Sequence, residues 1–564
     1  MTQRTLVTGQ VADRYVLDRR TLIAAAAAIA LAQAALAMPA VLNGLFQDDL
    51  GTSASQLTWI SAAFLVPVTL FELTFGVLGD LFGRKRLLII GTIVLGIGQL
   101  IGFLTPGADV DTSIRVAVLL VGQVLTGVGA AAIMPTTLAM VAAGTHTAHD
   151  RARAISVWAA ALATGSFVSP VLGGFLARYP FAGTDTAGWR WGFLAVAVLA
   201  VPCLIVTLTM ATTSSAPTGR SLDWPGQITV AISLFALLYA VIQGSTTGYG
   251  APDIIGAFVV AALSAVAFII VERRAPAPLL RLDLFGNRAF SVAAIATVLG
   301  SFALLGTAYI TSIRLAAIQG FSPLVTSIAF VILNGMTLLT APLVARLLVR
   351  HNARWLMAGG FGLIAIGDLW AASIPAATMS LGLILPPIAV VGLGFALALQ
   401  AVTAVAVNTV PTHLAGMASG TTSLLRDFGF TLGPSVIGAI ALTQAANAIQ
   451  AKLNASEDLR NALQAFDSAP AHASGATRES LEAAVGAVHS GPLGANGVPA
   501  TVMVDGKSMP LNPLQSVAFD ALDHSYSMAF VVCAGAALLA TLIVGIGFTG
   551  VDPRGRVSGE PETV

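Results

Sequence analysis

The chain has 564 residues, 56% hydrophobic and 10% charged, with 28 Lys and Arg against 27 Asp and Glu. A mean hydropathy of +0.85 excludes a soluble globular domain of this length, and the balanced charge carries no nucleic-acid signal. Two cysteines, Cys203 and Cys533, leave no disulfide framework and no zinc spacing.

Fourteen apolar stretches are long enough to cross a bilayer. A short charged segment, 1–20, comes first. The stretch after it, 21–45, is too long for a signal-peptide core and no cleavage site follows. Five more complete a first set, at about 56–78, 87–106, 115–141, 154–177 and 191–212. Two follow at about 224–243 and 252–271. The last six lie at about 289–313, 324–345, 356–374, 379–408, 417–443 and 525–549, with a polar tail at 550–564. Of the 28 Lys and Arg, 19 fall before the first stretch, in even-numbered loops or in the tail; 8 fall on the other side, and Arg426 lies inside a stretch. That asymmetry predicts a multi-pass inner-membrane protein with both termini in the cytoplasm. Scarce lysine with abundant Arg, Ala and Gly points to a GC-rich bacterial genome.

The most informative loop joins the second and third stretches. It reads Gly76-Val77-Leu78-Gly79-Asp80-Leu81-Phe82-Gly83-Arg84-Lys85-Arg86. Three cations obey the orientation rule, the glycines allow close helix approach, and Asp80 can cap a helix or pair with Arg84. The loop resembles that between helices two and three of major facilitator superfamily transporters. Further matches occur in the order expected for the fourteen-span drug:proton antiporter group. The fifth stretch carries Gly165, then Pro170, Gly173 and Gly174, similar to an antiporter signature, with Ser169 in place of one glycine. Trp189-Arg190-Trp191 opens the sixth and Leu222-Asp223-Trp224-Pro225-Gly226 the seventh; Gly320-Phe321-Ser322-Pro323 precedes the tenth.

The resemblance implies an all-α membrane protein of two six-helix bundles, at 21–212 and 289–549, joined by two extra helices within 213–288. Substrate would sit between the bundles near the midplane and gain access to each side in turn. Gly76, Asp80, Gly83, Arg84 and Arg86 would gate that motion. Two departures stand out. The first span usually carries an acid about nine residues before a proline, and counting back from Pro39 gives Ala30. The fourth usually carries R-x-x-Q-G-x-G, and this chain has Gln123-Val124-Leu125-Thr126-Gly127-Val128-Gly129.

Ionisable groups inside a membrane are functional candidates by default. Glu72 lies about 12 Å from the loop at Asp80 and Arg426 about 14 Å from its own cytoplasmic end, at 1.5 Å per residue. In the fold that the resemblance implies, the second span borders the second-to-last, and the matched depths then predict a meeting of Glu72 with Arg426 across the bundle interface. Such a pair is either a structural clamp or a coupling device. Asp427 stands where the group often has glutamine and can replace the missing first-span acid. Asp368, in the eleventh stretch, is expected to hold a structural partner more readily than to couple transport. Arg314 is expected to reach for the membrane interface. Gln33, Gln123, Asn334 and Gln400 are candidates for the cavity lining or for interhelical hydrogen bonds.

An insertion of about 80 residues, 444–523, separates the last two stretches on the extracytoplasmic side. Helical patterns cover 445–466 and 478–488, and Val502 to Met509 reads as a hairpin around Asp505-Gly506. It is either a passive spacer or a cap that modulates access. No P-loop is present, so transport would run on a proton gradient without a bound cofactor or metal. The leading function is export of hydrophobic or amphipathic small molecules by a monomer in contact with membrane lipids. A lipid or lipid-precursor translocator and a non-transporting receptor are the alternatives, and an enzyme is not expected.

Overall fold

Capping side chains and prolines set where each apolar stretch becomes a helix. The structure is a computed structural model, and it describes residues 17–145, 148–215, 222–276, 278–408, 415–472, 475–504 and 507–549. Helix α1 (Arg19–Ala37) starts at Asp18, whose carboxylate accepts from the Thr21 N–H at 2.6 Å. The stretch predicted at 21–45 is not one helix. Pro39 has no N–H to donate, so the chain tightens into a 3₁₀ turn, Met38–Val41, and restarts as α2 (Asn43–Leu50). Helix α3 (Ala54–Phe82) opens with a reciprocal capping box between Ser53 and Gln56. Then come α4 (Arg84–Phe103), α5 (Thr112–Ala143), α6 (Ala148–Leu176) and α7 (Arg190–Met210).

The linking pair is α8 (Trp224–Thr247) and α9 (Pro252–Arg274); the Asp223 side chain caps the former by accepting from Gly226 N–H at 2.9 Å. The second set comprises α10 (Arg288–Ser312), α11 (Pro323–Arg350), α12 (Ala353–Ala372), α13 (Leu381–Asn408) and α14 (Ala415–Ala455). A π-helical turn, Ile313–Ile318, extends α10. The insertion holds α15 (Glu457–Ser468), α16 (Gly475–His489), α17 (Pro492–Gly497) and an antiparallel hairpin of β1 (Thr501–Val504) and β2 (Lys507–Pro510). The hairpin falls where expected, and its turn residues, Asp505 and Gly506, lie outside the described residues. Helix α18 (Gln515–Gly547) ends the described chain.

Two boundaries differ from the reading of the apolar stretches. Helix α14 runs on past 443 to Ala455, because its polar end leaves the bilayer without a breaking residue. The helical pattern at 445–466 therefore splits at Ser456, whose hydroxyl accepts from Leu459 N–H and begins α15. Helix α18 likewise starts ten residues before the apolar run. Among the described residues fourteen helices, α1, α3 to α14 and α18, are long and apolar enough to span a membrane.

Helices α1 and α3 to α7 pack as one bundle; α10 to α14 and α18 pack as the other. In a bilayer the apolar effect does not drive helices together, so close approach through small residues matters most. Both bundles use the same device. Gly127 and Gly129 on α5 sit against Phe64 of α3 and against Gly91 and Leu95 of α4; a Cβ at Gly127 would lie 2.3 Å from the Phe64 carbonyl oxygen. Gly392 and Gly394 on α13 repeat the arrangement against Leu333 of α11 and Gly360 of α12. The linking helix α8 packs beside α3 and α14, with the Gln227 amide donating to the Leu70 carbonyl at 2.7 Å, and α9 packs against α8.

One end of the first bundle is held by charge. Asp49, next to the C-terminal end of α2, receives Arg115 of α5 at 3.0 Å, Arg190 of α7 at 2.7 Å and the Trp189 indole N–H at 2.8 Å. Both guanidiniums are buried, and each also donates to backbone carbonyls at 105–106 or 49. Asp49→Ala leaves two buried cations without their counter-ion, which costs about 3–5 kcal/mol. A lower thermal unfolding midpoint of the detergent-solubilised variant is expected, whereas Asp109→Ala, at an exposed carboxylate, leaves the midpoint unchanged.

Candidate functional site

The bundles meet along two helix pairs, α3 with α14 and α6 with α11. On α3, Thr69 and Glu72 are three residues apart and share a face. The Thr69 hydroxyl donates to the Asp427 carbonyl at 3.0 Å and lies 2.7 Å from the Thr431 hydroxyl. This register brings the buried Glu72 carboxyl within hydrogen-bonding reach of the Asp427 carboxyl and into the field of Arg426. The Arg426 guanidinium pairs with Asp427 at 2.9 Å. The predicted meeting of Glu72 with Arg426 is therefore a three-member cluster, with Asp427 as the member in direct contact with the arginine. One oxygen of each carboxylate, Glu72 Oε2 and Asp427 Oδ2, has no hydrogen-bond partner among the described residues.

The second pair is built by the antiporter-like stretch. Gly165 lets α6 cross α1, since a Cβ there would lie 2.2 Å from the Ala30 carbonyl oxygen. The Ser169 hydroxyl donates to the Ala34 carbonyl at 2.6 Å, so the residue that departs from the signature makes its own interhelical bond. Pro170 sits inside α6, and Gly173 faces Met38. Gly174 faces the other bundle, where a Cβ would lie 2.7 Å from the Pro323 carbonyl oxygen of α11.

A polar path lies at this second seam. The Ser166 hydroxyl donates to Gln33 on α1 at 3.1 Å, and the Asn334 amide of α11 reaches the Ser166 carbonyl at 3.4 Å. Gln33 and Asn334 are thus linked across the bundles through α6. Gln123 is fully buried within α5, away from that path, with neither amide atom partnered among the described residues. Gln400 is half-buried on α13. Asp368 is buried inside the second bundle, where it accepts from the Thr307 hydroxyl at 2.7 Å. Arg314 does not reach the membrane interface. The π turn directs it inward, where it donates to the Ile374 carbonyl at 2.5 Å. Asp49 and Arg115 went unread in the sequence, since nothing local marks their partners.

At the opposite end of α3, Asp80 accepts from Arg84 at 2.8 Å, one of the two roles open to it. Gly83 between the helices has φ of 100°, a conformation that disfavours any side chain. The Arg84 N–H donates to the Ser214 carbonyl at 2.9 Å and Lys85 donates to the Leu208 carbonyl at 2.9 Å, tying the turn to the end of α7. Gly76 and Gly79 face Pro135 and Thr136 of α5, and Arg86 is exposed.

A profile described as Major Facilitator Superfamily matches residues 6–434. The chain belongs to this superfamily. It is 31% identical over 394 residues to multidrug resistance protein Stp of Mycobacterium tuberculosis, across 70% of each chain. It is 26% identical over 423 residues to a tetracenomycin C resistance and export protein of Streptomyces glaucescens, across 74% of this chain and 75% of the relative. The fold is shared with a solved POT family transporter in complex with a thioalcohol-conjugated peptide, with a TM-score of 0.59 at 12% identity over 94% of this chain and 96% of that one. The superfamily match ends inside α14, so the insertion and α18 lie beyond it.

Gly83→Leu puts a side chain at a positive φ, a strain of about 1–3 kcal/mol on the turn between α3 and α4, and is expected to insert normally and to lose most dye efflux from vesicles. Asp80→Asn, which weakens the pair with Arg84, is expected to lower flux in the same assay at wild-type expression.

Proposed function

We propose that this protein is a proton-coupled exporter of hydrophobic or amphipathic small molecules, working by alternating access, with both termini in the cytoplasm. Its relatives carry names of multidrug resistance and antibiotic export, and the superfamily is one of transporters, which favours transport over the receptor and enzyme readings. The observation that carries the coupling is the Glu72–Arg426–Asp427 cluster on the seam between α3 and α14.

Two carboxylates there face one guanidinium. With both ionised the cluster holds one net negative charge at membrane depth, and one proton makes it neutral. Arg426 and Asp427 are neighbours on α14 and stay together through any rigid-body motion. Glu72 is on α3, so separating the helices removes it from the arginine. Loading and unloading a proton at Glu72 then accompanies the change of access. This site supplies what Ala30 and Gln123 lack at the positions where the drug:proton antiporter group usually has charges.

Drug would enter between the bundles, where Gln33, Ser166 and Asn334 offer polar groups on an otherwise apolar lining. The orientation rests on the cation asymmetry of the loops, and it puts the insertion outside the cell.

The double variant Glu72→Gln/Asp427→Asn tests the coupling in proteoliposomes with ethidium supplied outside. A one-unit pH gradient coupled to one proton supports about tenfold accumulation. The variant is expected to lose that accumulation and keep downhill dye flux. Accumulation at the wild-type level would remove these acids from the coupling route. Scrambling of labelled lipid without dye flux would favour a lipid cargo.

A further inference from the structure

The insertion does more than cover one end of the molecule. Its short helix α17 is wedged between the bundles. Leu493, Ala495 and Asn496 are buried there. The Asn496 amide donates to the carbonyls of Ala317 and Ile318, at 3.2 and 3.3 Å, on the π turn that extends α10. The Asn512 amide, at the foot of α18, donates to the carbonyls of Ala495 at 2.6 Å and Val498 at 2.9 Å. Four bonds therefore tie α17 to the second bundle and the chain leading into it. One bond reaches the first bundle, from the Gln47 amide on α2 to the Leu493 carbonyl at 2.7 Å. Gly497 lies beside the same amide, 3.3 Å from where its Cβ would be.

Beneath α17 the bundles touch at three further places. Asn43 donates to the Ser312 hydroxyl at 2.8 Å, and Ser312 donates to the Ala40 carbonyl. Thr58 and Tyr309 hydroxyls lie 2.9 Å apart. A Cβ on Gly44 would lie 3.0 Å from the Ala316 carbonyl oxygen. All join α1 to α3 or the turns between them to α10 and its π turn. The seam also buries Asn43 Oδ1, Gln47 Oε1 and Asn496 Oδ1 without partners among the described residues. Each orphaned atom weakens the closed arrangement, and each would be hydrated on opening.

We propose that α17 is the outer gate of the transport pathway, carried by the second bundle, and that release of substrate to the outside requires its parting from Gln47. The asymmetry of its bonds assigns it to one moving body. The unpartnered amide atoms keep the sealed state from being too stable to open. The assignment rests on the exporter reading and its orientation, and it names the gating residues that reading lacks: Gln47, Leu493 and Asn496.

Two paired-cysteine variants, bridged by a short impermeant bis-thiosulfonate added outside, test it with ethidium efflux as the readout. The bridge Gln47→Cys/Gly497→Cys joins α17 to the first bundle and is expected to cut efflux by about tenfold or more, with recovery on reduction. The bridge Ala500→Cys/Leu511→Cys joins the chain after α17 to the chain leading into α18, where the Leu511 N–H donates to the Ala500 carbonyl at 2.8 Å, and is expected to leave efflux intact. Full efflux through the first bridge, or equal loss through both, would overturn the assignment. A second measurement needs no flux. Ser312→Cys, buried under the wedge, is expected to react with an impermeant maleimide from outside about tenfold faster when Asn496→Ala loosens α17. An unchanged labelling rate in a correctly inserted protein would refute the gate, even where the exporter reading stands. Labelling of Ser474→Cys from the cytoplasmic side alone would refute the orientation instead.

Discussion

Everything in this molecule depends on backbones that touch. Lipid tails are as apolar as leucine, so burying leucine against leucine gains little, and helices hold together through contact area and through polar groups near enough to bond. Glycine at the crossings makes both possible. Gly127 and Gly129 bring α5 against α3 and α4, and Gly392 and Gly394 do the same for α13 against α11 and α12. The same pair of contacts in both halves gives two bodies of similar construction. Because each is tightly packed, they move as units and the seam between them yields. Gly174 against Pro323 shows that the seam uses the same close approach, but over a much smaller area than either interior.

The ionic groups divide along the same line. Asp49 with Arg115 and Arg190 lies wholly within the first bundle, and the one net positive charge of the trio is solvated by backbone carbonyls. Asp368 with Thr307 lies wholly within the second. Glu72 with Asp427 and Arg426 straddles the two. A charge cluster inside a rigid body keeps its partners in every state and serves stability. A cluster divided between bodies changes its partners when they move, which is the property that the proposed coupling uses.

The repeat of long apolar runs made the fourteen helices legible in the sequence, and the two-bundle plan followed from the resemblance of the basic loop and the ordered motifs to the superfamily. Glu72 was placed near Arg426 by two steps: the resemblance implied that their helices are neighbours, and the fixed rise of 1.5 Å per residue matched their depths. What escaped notice had no local signal. Asp49 and Arg190 are 141 residues apart, and neither looks buried in sequence. Arg314 looked like an interfacial cation, since nothing in its neighbours announces a π turn. The segment Pro492-Leu493-Gly494-Ala495-Asn496-Gly497 has the composition of a spacer. Only its docking against Gln47 and the π turn gives it a place, and docking is a property of the assembled bundles.

The helix end explains why such a small segment fits. A helix that stops at Ile318 leaves its last carbonyls without partners inside the helix. Two of them, on Ala317 and Ile318, accept from the Asn496 amide, and the Arg314 guanidinium of the same π turn donates to the Ile374 carbonyl. The end of α10 thus holds α17 on one side and the loop after α12 on the other. Straightening the π turn would release both together. The second bundle therefore carries its wedge and its neighbouring loop as one piece, and the weakest joint on that face is the single bond from Gln47.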